Sequence, residues 1–196
     1  MDIFMDLEFV ERGRDLPIQV ISIGMIRSDG TEFYRINPEC LSNVAKHPWL
    51  SVNVAPSLPM SSPAPGILLW DEGHEEYQYV ARSLDELIVD VLEFVRATSD
   101  AVIWAYFGHY DHVAFHQLFG SMGEQPAGVP MFTRDIHELA LNNPGVELPP
   151  ALWRVDHAME DARWAKAAYE ALTGERKPLM LTAEVIETDD AVIVED

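Results

Sequence analysis

The chain has 196 residues and is 48% hydrophobic, which suits one domain with a sizeable core. Its 33 acids against 13 bases give a formal net charge of −20, a field that repels nucleic acid and excludes binding along a basic track. The single cysteine, Cys40, excludes an internal disulfide framework; no basic, apolar leader and no apolar run of membrane-spanning length is evident, so a cytoplasmic protein without a membrane partner is expected.

In chain order, Ile3 to Val10 is apolar enough for a buried strand, and Arg12-Gly13-Arg14-Asp15 breaks it. Pro17 to Ile26 is rich in β-branched residues and apolar on both faces near its middle, as a central strand should be. Ser28-Asp29-Gly30 predicts a tight hairpin turn, from which Thr31 to Ile36 returns as a third strand. Leu41 to His47 reads as one short helix. Five prolines and several serines between Pro48 and Pro65 predict no regular structure there, and Gly66 to Trp70 reads as an apolar anchor packing back.

The chain then alternates helix and strand. Ser83-Leu84-Asp85-Glu86 is a capping-box signature for a helix through about Ala97, with Leu84, Leu87, Ile88, Val91, Leu92 and Val95 as its apolar stripe. Ala101 to Tyr106 is a short apolar strand, and Gly108-His109-Tyr110-Asp111 turns into a helix running to about Phe119. Met131 to Asp135 leads into another short helix ending near Asn142. Asp156 is the expected N-cap of a last helix from His157 to about Leu172, closed by Thr173-Gly174. A three-stranded meander followed by helix, strand and helix is an α/β layout around a mixed sheet. The expected division is one domain over residues 1–174 and an acidic extension over residues 175–196.

Three places carry chemistry. Side chains alternate along a strand, so Asp6 and Glu8 project from one face. Paired carboxylates on the rim of a core repel each other and each carries a desolvation cost; a bound divalent cation removes both problems. Asp111 stands where a core strand gives way to a helix. The helix dipole favours an acid there on its own account, and the same position delivers a third carboxylate to the sheet edge. His157 and Asp161, spaced i and i+4, point the same way, either as a helix-stabilising pair or as reacting groups. Ala162, Ala165 and Ala168 lie near that stripe and allow a close approach to the sheet. His112 and His116 share the i, i+4 spacing and invite a zinc reading, but no third ligand of conventional spacing accompanies them.

An N-terminal strand with Asp-x-Glu, a strand-to-helix junction with Asp and a C-terminal helix with His-x-x-x-Asp together resemble the DEDDh exonucleases of the ribonuclease-H-like fold. Asp6-Leu7-Glu8-Phe9, Tyr110-Asp111-His112-Val113-Ala114 and Asp156-His157-Ala158 are similar to a small actinobacterial and phage family of 3′-5′ exoribonucleases, over about residues 2 to 172. The resemblance implies that Asp6, Glu8, Asp111 and Asp161 hold two Mg²⁺ or Mn²⁺ ions and that His157 takes the proton of the attacking water. It also implies a single-stranded RNA 3′ end as partner, nucleoside monophosphate as product, Phe9 as the ring under the terminal base, and Arg134 and Arg154 as phosphate contacts. A homodimer assembling Arg12, Arg14, Arg154 and Arg163 into a groove is one further arrangement. The acidic tail and the net charge depart from the family's pattern. The alternatives are a DNA exonuclease of the proofreading type and, in a different class, a catalytically silent ribonuclease-H-like module that binds a protein partner.

Overall fold

Nine residues of alternating character, β1 (Asp2–Val10), form the middle strand of the sheet in the computed structural model, which describes residues 1–64, 67–150 and 156–174. After β1 come β2 (Gln19–Arg27), β3 (Glu32–Ile36), α1 (Leu41–Lys46), α2 (Leu50–Asn53), β4 (Met60–Ala64) and β5 (Ile67–Trp70). Then follow α3 (Glu75–Val80), α4 (Leu84–Arg96), β6 (Val102–Ala105), α5 (His109–Gln117), β7 (Thr133–Asp135), α6 (Ile136–Leu141) and α7 (Ala158–Thr173). The five-stranded sheet has the order β3-β2-β1-β6-β7. Its first three strands pair antiparallel, while β6 joins β1, and β7 joins β6, in parallel. An antiparallel meander continued by parallel strands, with helices on both faces, is the mixed sheet of a ribonuclease-H-like α/β fold.

The alternation of β1 decides which helices lie where. Ile3, Met5 and Leu7 are buried against α4 and α5, whose Leu87, Val91, Val95, Ala114 and Phe115 complete that cluster. The α4 boundary follows from its sequence: the Ser83 side chain accepts the Glu86 N–H while Glu86 reaches back to the Ser83 N–H. On the opposite face Phe4 packs with Ile26, Trp104 and the buried alanines of α7. A third cluster lies further along that same face, where Val10, Ile21 and Ile36 meet Val44, Leu50 and Leu58. A bulge in β2 makes it possible: Glu8 pairs with Ser22 and Phe9 with Val20, so Ile21 is skipped and turns toward Val10. Along β1 this face therefore reads Phe4, Asp6, Glu8, Val10, with the two acids between two apolar clusters.

The described part of the proline-rich stretch, residues 48–64, does not lack regular structure. It forms α2, a 3₁₀ turn over Ala55–Ser57, and β4, which pairs antiparallel with β5. A two-stranded sheet leaves an open edge on each strand, so Pro63 enters β4 without costing a ladder hydrogen bond. The short elements α3 and β7 also have no counterpart in the expected layout. Three residues are too few to show a period; β7 exists because Ile103, Trp104 and Ala105 offer it a parallel partner.

One contact sets the height of α7 above the sheet. Gly24 pairs with Asp6, and a Cβ at Gly24 would lie 2.3 Å from the Ala158 carbonyl oxygen and 2.5 Å from Met159 Cα. Both obstacles are backbone, so neither can swing aside. Gly24→Ala is expected to lower stability by about 1–3 kcal/mol as α7 lifts. Thermal unfolding checks this, and an unchanged midpoint would refute the contact.

Candidate active site

Asp6, Glu8 and Asp161 bring carboxylate oxygens within 4.8 Å of one another, forming a group that could hold a metal ion. Asp6 and Glu8 come from the acid-bearing face of β1, and Asp161 comes from the first turn of α7, whose start rests on Gly24. Asp111 borders this group rather than belonging to it. The parallel pairing of β6 with β1 runs from Asp2 to Phe4; beyond it, Asp111 Oδ1 accepts the Leu7 N–H at 2.8 Å. One oxygen of this buried acid thus completes the hydrogen bonding of β1 where β6 has ended.

The start of α7 differs from the expected one. Its N-cap is His157, not Asp156: His157 Nδ1 accepts the N–H groups of Met159 (3.1 Å) and Glu160 (3.4 Å). The His157 N–H in turn donates to Asp161 Oδ2 at 3.1 Å. Tertiary contacts outrank the usual preference of Asp for a cap. The Asp156 N–H donates to the Asn53 carbonyl at 3.2 Å, and Ser57 Oγ donates to the Asp156 carbonyl at 2.8 Å, so the proline-rich segment anchors the entry to α7. Accepting at Nδ1 places the proton of the neutral imidazole on Nε2. The ring lies on Tyr34, with centroids 4.8 Å apart.

The electrostatics are those of a cluster without its counter-charge. Burial, reinforced by Asp111, Glu8, Asp161 and Asp156, holds Asp6 well above the usual carboxylate range. Burial and then Asp156, Asp161 and Asp111 push Glu8 up to about 8. Asp111 rises to about 6 because burial outweighs the Leu7 N–H that favours its ionised form. Burial also raises Asp161, against the stabilising His157 N–H, and raises Asp156. Among the described residues no lysine or arginine pairs with any of these five acids. Desolvated oxygen donors with no cation of their own suit a hard divalent ion.

Asp156 is the group that sequence reasoning missed as part of the cluster, since its place beside Glu8 depends on Asn53 and Ser57. Gly24 was missed as well, although a lone glycine inside a strand is a known sign of close backbone approach. Phe9 is half-buried in the main core, with its ring 6.4 Å from that of Tyr110. Arg134 lies on β7, two strands from β1, with its guanidinium 5.3 Å from the Trp104 ring centroid. Arg154 and the acidic extension beyond Gly174 lie outside the described residues. His112 Nδ1 meets Thr133 Oγ1 (3.1 Å) and His116 Nδ1 meets Gln125 Oε1 (2.7 Å), while His116 Nε2 is buried without a hydrogen-bond partner among the described residues. Among the described residues no helix is long and apolar enough to cross a membrane.

A mixed ribonuclease-H-like sheet whose middle strand and last helix join three carboxylates defines an enzyme of the α/β class with a cation-ready acidic centre. Two Mycobacterium tuberculosis proteins, 3′-5′ exoribonuclease Rv2179c (strain ATCC 25618 / H37Rv) and 3′-5′ exoribonuclease MT2234.1 (strain CDC 1551 / Oshkosh), are each 36% identical to it over 165 residues, 83% of this chain and 88% of each relative. The chain belongs to the family of these 3′-5′ exoribonucleases. No protein-family model matches it.

The raised carboxyls predict an unusual pH dependence for the metal-free protein. A carboxyl with a raised folded-state pKa binds its proton more tightly folded than unfolded, so its stabilisation is present at low pH and lost as pH rises through the folded value. For Glu8 the window runs from 4.5 to about 8, and for Asp111 from 3.8 to about 6. The Arg163 contact that lowers Glu32 acts below 4.5, outside most of that range. In a chelator the unfolding temperature should therefore fall from pH 5 to pH 8, and divalent cation should restore it more at pH 8 than at pH 5. A chelated protein that gains stability over this range would contradict the cluster.

Proposed function

We propose that the protein is a metal-dependent 3′-5′ exoribonuclease of the DEDDh type, which removes nucleoside 5′-monophosphates from single-stranded RNA 3′ ends. The observation that carries this reading is the convergence of Asp6, Glu8 and Asp161 in a chain that belongs to a 3′-5′ exoribonuclease family. Asp6, Glu8 and Asp161 would hold Mg²⁺ or Mn²⁺, with the second oxygen of Asp111 beside them, and two such ions would lower the pKa of the attacking water and offset the charge on the phosphate and leaving oxygen.

The protein's own groups do the rest. Leu7 and His157 orient Asp111 and Asp161 through backbone N–H groups, so both acids are positioned before substrate arrives. The half-buried Phe9 and the exposed Tyr110, adjacent in sequence to Glu8 and Asp111, offer the terminal base a ring surface that does not discriminate sequence. Histidine is the side chain that exchanges a proton near neutral pH, and His157 is the base in this reading. Its Nδ1 lone pair is committed to the α7 cap, so the ring leaves the cap when it takes the proton of water. Releasing an N-cap costs about 1 kcal/mol, small beside the barrier that general-base catalysis removes.

The direct test is product analysis on RNA and DNA oligonucleotides labelled at the 5′ end, with Mg²⁺ or Mn²⁺. A ladder shortening stepwise from the 3′ end of RNA is expected; internal cuts or intact RNA would overturn the proposal, and preference for the DNA strand would move the activity to the deoxyribonuclease alternative. Two variants test the roles. Asp6→Asn should abolish hydrolysis while raising the unfolding temperature of the metal-free protein, because it removes one of the repelling charges. His157→Asn keeps an excellent N-cap but no base, so turnover should fall by about 10²–10⁴-fold with stability held. An Asn variant with wild-type turnover would remove His157 from the chemistry.

A further inference from the structure

Two described residues other than glycine have positive φ, and they differ in kind. Asp100 (φ 47°) is of a type that tolerates the left-handed region; Phe107 (φ 55°) is a bulky aromatic, for which that conformation is a true outlier. The surroundings hold it there. The Gly108 N–H donates to Asp135 Oδ2 at 2.9 Å, the His109 N–H donates to the Phe107 carbonyl at 2.9 Å, and a Cβ at Gly108 would lie 2.5 Å from Ala105 Cβ. A strained residue fixed from several sides, just past the end of the strand that runs beside β1, points to a function for its side chain.

That side chain is a ring presented to solvent, 58% exposed. It rests on the imidazole of His137 (centroids 4.0 Å apart, planes 31° apart), which is itself 3.2 Å from the Tyr106 hydroxyl. Phe107 follows the carboxyl end of β6, which runs parallel to β1, and precedes Asp111 by four residues. Ligands of open α/β sheets bind at that end of the strands. Next to it a cavity of about 320 Å³ is lined by Gly108 and His109 on one side and by Phe132 and Arg134 on the other. Phe132 is 79% exposed, and Arg134 forms no ion pair among the described residues.

We infer that Phe107, backed by His137, stacks on a base of the RNA strand upstream of the phosphodiester being cut. This rests on the exoribonuclease reading above and adds a second ring surface to it. The net charge of −20 denies the protein affinity through phosphate neutralisation, whereas stacking against a π-face needs no positive charge. In this arrangement the Phe9–Tyr110 pair, next to Glu8, serves the terminal nucleotide, and Phe107, which follows the neighbouring strand β6, serves the nucleotide upstream of it.

The test compares wild type, Phe107→Asn, Phe107→Gly and Phe107→Tyr on a ten-nucleotide RNA and on the p-nitrophenyl ester of uridine 5′-monophosphate, which carries a terminal nucleotide and nothing upstream. Asn and Gly both accept the left-handed backbone, so they remove the ring without imposing new strain. Both should raise KM for the RNA about tenfold with kcat little changed, leave the nitrophenyl ester unaffected and preserve the unfolding temperature, and Tyr should restore the RNA value. An unchanged KM for RNA, an equal rise for the ester, or a lowered unfolding temperature in both the Asn and Gly variants would overturn the inference. A wild-type protein that cleaves the ester but no RNA would instead overturn the exoribonuclease reading.

Discussion

A missing methyl group decides where three carboxylates of this protein can meet. Gly24 has no side chain, so the first turn of α7 lies directly on the backbone of β2, opposite Asp6. From there Asp161, at the end of that turn, reaches the face of β1 that carries Asp6 and Glu8. The alanines at 158, 162, 165 and 168 extend the same close approach along the helix, each buried and none large enough to lift it. With any larger residue at position 24, Asp161 would stand away from the two strand acids. The cluster is therefore a consequence of backbone packing before it is one of charge.

Charge then works against the fold. Three carboxylates with oxygens within 4.8 Å, two more beside them and no cation paired with them among the described residues make an arrangement that folding alone would avoid. Other features of the protein hold it in place. Two apolar clusters on the same sheet face flank the acids, the bulge at Ile21 having divided that face, and two backbone N–H groups fix one oxygen each of Asp111 and Asp161. The fold thus carries a destabilising cluster that a divalent ion, in the proposed reading, would stabilise.

Much of this was legible in the sequence, and the gaps have physical causes. The meander, α4 and α7 were readable from their patterning, α4 carrying its own cap as well; β6 was readable from its apolar run and α5 from the turn at Gly108 that opens it. The same alternation put Asp6 and Glu8 on one face, and the i, i+4 spacing put Asp161 within reach of the residues before it. What escaped depends on partners distant in the chain. β7 needs β6 beside it; β4 tolerates its proline because its sheet has two strands; His157 rather than Asp156 caps α7 because Asn53 and Ser57 hold the preceding residue. The hydrogen bond from Leu7 to Asp111 escaped for the same reason, since it joins residues 104 positions apart.

That last bond separates two kinds of acid in the site, and it bears on how sequences of this kind diverge. Asp6 and Glu8 each make the empty fold less stable, so a descendant that no longer cut RNA would be under pressure to replace them with apolar or amide side chains. Asp111 completes the hydrogen bonding of the central strand, so folding favours an oxygen acceptor at that position whether or not it is charged. On the proposed roles, a sequence that keeps an oxygen acceptor at 111 but has lost the acids at 6 and 8 would have kept its scaffold and given up its chemistry, so the first pair says more than the third acid about which relatives still cut RNA.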